Sequence, residues 1–154
     1  MYLISVEIDT KCPFSYLKRH NMTHLLPHKD LLKLMLAGNA VLIFLNPKTS
    51  GRRQYHIKLN KECTKWHVSQ VVAPGTEQEF NRYIGTIGKG NQFWYQTDIT
   101  GEAARFHMLL QSVLTGRLNP EMQVMHTGRC CACHRTLTDP ESIELGIGPF
   151  CRGK

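Results

Sequence analysis

Hydrophobic and polar positions alternate in several short runs of the chain and follow a helical period in two others. Leu31, Leu32, Leu34, Met35 and Leu36 form an apolar stripe of helical spacing that Gly38 ends. Residues 40–45, AVLIFL, are too short for a lone helix, and they lead into the turn residues 46–51, NPKTSG. Tyr55, Ile57 and Leu59 then alternate with Gln54, His56 and Lys58, which predicts a return strand with one apolar and one basic face, and so a hairpin. Residues 66–73, 82–87 and 92–97 are further strand candidates, separated by Pro74-Gly75 and by residues 88–91, GKGN, so an antiparallel meander is expected. Residues 100–115 carry the strongest helical pattern, with Ala103, Phe106, Leu110, Val113 and Leu114 on one face and Gly116 as the stop. Before Lys29 the pattern is weaker. YLISVEI alternates like a strand, but Pro13, Pro27 and several histidines break any continuation, which implies a strand and an irregular wrap. The class that follows is α+β, an antiparallel sheet packed by one or two helices.

Length and composition bound the architecture. At 154 residues and 42% hydrophobic, the chain can bury one core. The division expected is an α+β domain over residues 1–120 and a small metal-clasped module over residues 121–154, joined by residues 118–123. Glu7 and Asp9 interrupt what a secretory leader would need as an apolar run, and no stretch approaches the length of a membrane span. A cytoplasmic location without membrane attachment is expected. In a reducing compartment clustered cysteines favour a metal over a disulfide.

The clustered cysteines lie near the end, in MHTGRCCACHRTLTDPESIELGIGPFC, residues 125–151, which holds four of the six cysteines. The spacing is His126-x3-Cys130-x2-Cys133-x17-Cys151. One imidazole and three thiolates complete a tetrahedral zinc shell at ordinary spacings, so one structural zinc ion held by His126, Cys130, Cys133 and Cys151 is expected. Cys131 is expected to point away from a turn built on its neighbour. Thr138 with Glu141 three residues later, and Pro140 between them, reads as a capping box opening a short helix over Pro140–Leu145 that Gly146 stops. Leu137, Ile143, Ile147 and Phe150 are placed to cover the metal on its dry side. Cys12 and Cys63 lie far from the cluster and read as free thiols. His20, His24 and His28 recur every four residues, as on one helix face; a solvated polar face is favoured there over a second metal site.

The run Cys-x2-Cys-x-Arg-x-Leu-Thr-x-Pro-x-Ser-Ile-x3-Gly-x-Gly-Pro-x-Cys, residues 130–151, resembles the signature of a small zinc-motif family of unknown function found in phages, prophages and bacteria. Similar in the family's longer members are Ala-Gly-Asn-Ala, here residues 37–40, before a hairpin, and His-x-Gly-x-Cys, here residues 126–130. The resemblance is dense over residues 126–151 and thin elsewhere. It implies a zinc-ribbon-like or treble-clef-like module with no established activity, and a phage-type protein working in host cytoplasm. Where the family has Gly after the second cysteine, this chain has His134, and that departure makes His134 the rival to His126.

The net charge is +7, and its distribution matters more than its total. Lys48, Arg52, Arg53, Lys58, Lys61 and Lys65 crowd the hairpin against Glu62 alone, whereas residues 126–154 hold four cations against three carboxylates. A basic hairpin of this kind suits phosphates, with Tyr55, His56 and Trp66 available for base stacking. Consecutive strand residues face opposite ways, so Phe93, Trp94 and Tyr95 read as core rather than as a stacking platform. An enzyme is not expected. The chain lacks the His-x-Glu of zinc deaminases, a phosphate-binding glycine loop, a Gly-x-Ser-x-Gly elbow and His-Glu-x2-His, and four protein ligands would close the metal to any substrate. The first functional expectation is nucleic-acid binding through the six cations. The alternative is a protein-interaction factor that grips a host protein through the sheet edge and the zinc module. No small-molecule substrate is evident.

Overall fold

The structure, a computed structural model, describes residues 23–96 and 100–153. The strand expected within residues 1–10, Cys12, His20 and the end of the strand expected at residue 97 lie outside them.

The described elements, in chain order, are β1 (His24–Leu26), α1 (Leu31–Met35), β2 (Asn39–Asn46), β3 (Gly51–Leu59), β4 (Trp66–Val72), β5 (Phe80–Ile87), β6 (Phe93–Trp94), α2 (Glu102–Leu114), β7 (Gln123–His126), α3 (Pro140–Leu145) and α4 (Pro149–Arg152). The strands form one sheet in the order β1-β7-β2-β3-β4-β5-β6. Every pairing is antiparallel.

The β2–β3 hairpin follows from its turn chemistry. Asn46 Oδ1 accepts from the Lys48 amide at 3.0 Å, and Thr49 Oγ1 accepts from the Gly51 amide at 3.2 Å, so the turn supplies its own acceptors. That fixes a register in which Leu42 faces Tyr55 and Ala40 faces Ile57 on one side of the sheet. Val41 faces His56 and Asn39 faces Lys58 on the other. Between Val68 and Ser69 the pairing with β5 slips, so that Val68 faces Gly85 and Ser69 faces Tyr83. Gly85 is required there, since a Cβ would lie 2.4 Å from the Phe93 ring.

One face of the sheet is closed. Leu26, Val124, Leu42, Tyr55, Ile57, Val68, Ile87 and Phe93 meet Leu31, Leu34 and Met35 of α1 and Ala103, Phe106 and Leu110 of α2 in a single buried cluster. Phe106 sits at its centre, with ring centroids 4.9 Å from both Tyr55 and Phe93. Among the described residues the one buried carboxylate in this layer is Glu102, only 3% exposed. Tyr55 donates to its Oε2 at 2.6 Å, and Arg105 donates to its Oε1 at 3.2 Å. Arg53 Nε also lies 3.3 Å from Oε2, as an ion pair without hydrogen-bond geometry. Burial, then the Glu102 hydrogen bond, pushes the Tyr55 hydroxyl far above its ordinary range.

Several sequence expectations are corrected. α2 begins at Glu102 behind a left-handed Gly101, and β6 is two residues long. Residues 118–123 do not simply join two parts, because Gln123 opens β7, which pairs on both sides, with β1 and with β2. His24 lies in β1 rather than on a helix, and His28 Nε2 bonds the Met122 carbonyl at 2.7 Å, so neither belongs to a helical histidine face. No helix among the described residues is long and apolar enough to cross a membrane.

Candidate functional site

The chain leaves β7 at His126 and folds back as a tight hairpin. Leu137 N–H donates to Gly128 O at 2.8 Å, Cys130 N–H donates to Arg135 O at 2.8 Å, and His134 N–H closes the tip on Cys130 O at 2.9 Å. His134 takes a left-handed φ of 69°, a conformation glycine adopts at less cost. α3 follows, and its N-cap is Asp139 rather than Thr138: the Asp139 carboxylate accepts from Ser142 N–H at 3.0 Å, with Pro140 in the first turn. Left-handed Gly146 ends the helix, and its carbonyl accepts from Cys131 N–H at 3.0 Å. α4 then returns Cys151 to the hairpin tip.

The ligand atoms of Cys130, Cys133 and Cys151 all lie within 4.8 Å of one another. The Cys130 sulfur accepts from the amides of Ala132 at 3.4 Å and Gly148 at 3.3 Å. Burial pushes the Cys130 thiol up, but hydrogen bonds led by that from Gly148 outweigh it and bring the thiol down to about 7. Cys151 is pushed up to about 11, by burial first and then by its neighbours Cys130 and Cys133. A thiophilic cation at the centre would remove that mutual opposition by neutralising all three sulfurs together. The donor set therefore fits a metal ion. Cys131 faces the other way, into the apolar core, where burial raises it to about 12.

His126 is not in this cluster. Its ring is fully buried, Nε2 donates to the Ile143 carbonyl at 2.6 Å, and Nδ1 accepts from Gly128 N–H at 2.9 Å, so both nitrogens are committed. It stacks on His24 at 5.1 Å. The four-ligand shell expected from spacing is, among the described residues, a set of three thiols. His134 does not replace His126, since its ring is stacked on His56 at 5.9 Å. Phe150, expected to shield the metal, is 82% exposed, whereas Leu137 is buried and lies within reach of Gly148.

The six hairpin cations divide. Lys58, Lys61 and Lys65 line an open cleft of about 700 Å³ with His56, His67, Ser69 and Asn81, where Glu62 is the one carboxylate. Asn60 braces the loop that carries Lys61 and Lys65: its side chain accepts from Thr64 N–H at 2.9 Å and Lys65 N–H at 3.3 Å and donates to Thr64 Oγ1 at 2.9 Å. Lys48 instead pairs with Glu121 at 3.2 Å, and Arg53 is held by Glu102. Arg52 shares the face of His56 and Lys58, about 20 Å up the strand from Lys58. The expected stacking residues divide as well. Tyr55 is buried, and Trp66 donates its indole N–H to Leu36 O at 3.1 Å from a half-buried position. Of the three, His56 alone lines the cleft; its Nε2 bonds Asn39 Oδ1 at 2.6 Å and its Nδ1 accepts from Asn81 at 3.3 Å.

Of Phe93, Trp94 and Tyr95, all expected in the core, Phe93 is buried, but Trp94 of β6 stands outward at 64% exposure and Tyr95 is 38% exposed; Tyr83 of β5, which the sequence did not single out, is 60% exposed. Strand alternation offered a signal, since Trp94 neighbours the inward Phe93.

Hairpin and cleft are physically joined. The Cys131 carbonyl accepts from Asn39 N–H at 2.7 Å, at the start of β2, and a Cβ at left-handed Gly38 would lie 2.8 Å from Ala132 O. The hairpin thereby carries His134 onto His56.

Residues 121–154 match a family described as a family of unknown function, DUF6011. The match covers all of β7, both cysteine-bearing turns and the two short helices. No curated protein and no solved structure matches the chain.

Proposed function

We propose that this is a non-enzymatic nucleic-acid-binding protein whose Cys130, Cys133 and Cys151 hold one structural zinc ion in a ribbon-like or treble-clef-like module. Three thiolates, one of them already stabilised by amide hydrogen bonds, supply three of the four positions of a tetrahedral ion. The observation that carries the nucleic-acid reading is the gathering of Lys58, Lys61 and Lys65 with His56 and His67 in one open cleft, on a loop braced from within by Asn60. Such a cleft neutralises successive phosphates, and each contact releases counterions. The role of the metal is indirect: it fixes the hairpin that buttresses His56 through His134.

Titration with labelled single- and double-stranded DNA and RNA across a salt series tests the reading. The expected result is affinity that falls linearly in log salt, by about 0.7 to 0.9 decades per decade for each phosphate contact. Absence of binding to all four at low salt excludes it and leaves the protein-partner alternative. Elemental analysis should find one zinc per chain.

A further inference from the structure

The nucleic-acid reading leaves open which form of nucleic acid is bound, and the outer face of the sheet bears on that. Strand register places Lys58 of β3 opposite His67 of β4, His67 opposite Thr86 of β5, and Thr86 opposite Trp94 of β6. Paired residues share a face, so these four form one row across four strands, three steps of about 4.8 Å each. In the adjoining row His56 faces Ser69, and Ser69 faces Tyr83. Tyr83 is held in place at the aromatic end. Tyr83 hydroxyl bonds Thr86 Oγ1, which lies 3.4 Å from His67 Nδ1, and the Tyr83 and His67 rings meet edge to face with centroids 6.0 Å apart.

The face thus grades from cations at Lys58, Lys61 and Lys65 to exposed aromatic surface at Tyr83 and Trp94. A duplex presents phosphates but keeps its bases stacked inside, so it would use the first half of this face and leave the second idle. An unpaired strand presents both phosphates and base faces. Resting on the nucleic-acid reading above, we propose that the outer face is a platform for single-stranded nucleic acid, with phosphates at Lys58, Lys61 and Lys65 and bases stacked on Trp94 and Tyr83. Charge complementarity selects the polyanion, and the exposed aromatic rings select the unpaired form.

Binding of a short oligothymidine, an oligouridine and a mixed-sequence duplex is compared for wild type, Tyr83→Ala, Trp94→Ala and Trp94→Phe, by anisotropy and by tryptophan fluorescence. Wild type is expected to prefer the single strands, with quenching from Trp94 that Trp94→Phe abolishes while retaining most of the affinity. Each alanine variant should lose roughly 5- to 100-fold on single strands and little on the duplex. Both side chains are exposed, so the circular dichroism and melting of the variants should match wild type. Equal affinity for duplex and single strand, or unchanged single-strand binding in both alanine variants, overturns the platform while the phosphate cleft stands. Failure of wild type to bind any probe removes the underlying reading as well.

Discussion

The two faces of the sheet are built from the same strands, yet they are held by different physics. On β3, Tyr55 and Ile57 point inward to Phe106 and the α2 layer, while His56 and Lys58, one residue away in each case, point outward into the cleft. Burial of apolar area stabilises the inner face, and the buried carboxylate there, Glu102, is surrounded by Tyr55, Arg53 and Arg105. On β3 to β6 the outer face spends its positions on lysine, histidine and exposed aromatic rings that contribute little to folding. Stability and binding are therefore separable by strand alternation. The cysteine hairpin is where the faces meet, since it sends Cys131 into the inner core and His134 onto outer His56.

Removing that link should give the largest effect. Cys130→Ser is expected to abolish zinc binding and to raise amide exchange throughout residues 128–153, because structural zinc in small modules contributes on the order of 10 kcal/mol. Exchange in the centre of the sheet, at β3 and β4, should change far less. By contrast His126→Gln should retain one zinc per chain, measured by elemental analysis, while lowering stability. Loss of the metal in His126→Gln would restore the imidazole as a ligand.

On the inner face Phe106→Ala should cost about 3–5 kcal/mol in urea denaturation, the range for emptying a fully buried aromatic site. Affinity for nucleic acid, measured where the variant remains folded, should stay within about twofold of wild type. A parallel loss of affinity would mean that the faces are not independent.

Much of this organisation was legible from the chain, for local reasons. The Asn46–Gly51 turn carries its own hydrogen-bond acceptors, and the alternation at Tyr55, His56, Ile57 and Lys58 is a two-residue period that needs no tertiary context. The cysteines were legible through spacing. What was not legible depended on partners remote in sequence. QVMH, four residues without alternation, becomes β7 only because β1 and β2 flank it on both sides. His126 has ligand spacing, but the Ile143 carbonyl and the Gly128 amide that occupy its nitrogens converge only after folding. Lys48 and Arg53 read as free cations until Glu121 and Glu102 arrive from distant segments. The capping box slipped by one residue because Thr138 and Asp139 are both competent caps, and the side chain that accepts from Ser142 is that of Asp139.

Acid should produce a smaller effect. Burial holds His126 below its ordinary value, and burial with the neighbouring His134 and Lys58 charges does the same for His56. Folding thus favours their neutral forms. The stability they contribute is complete above about pH 6.5 and is lost as pH falls through their lower folded values. Urea midpoints measured from neutral to mildly acid pH should fall, and the fall should be shallower in His126→Gln. Stability that rises on acidification would contradict the assignment.

The smallest effect on folding should accompany the largest on binding, and that pairing tests the central claim most directly. In Lys58→Ala/Lys61→Ala/Lys65→Ala, the urea midpoint should correspond to a stability within about 0.5 kcal/mol per site of wild type. The salt dependence of affinity for oligouridine should flatten by about two to three decades per decade, the loss of three phosphate contacts. An unchanged salt slope in a folded triple variant would contradict the assignment of this cleft as the phosphate-binding surface.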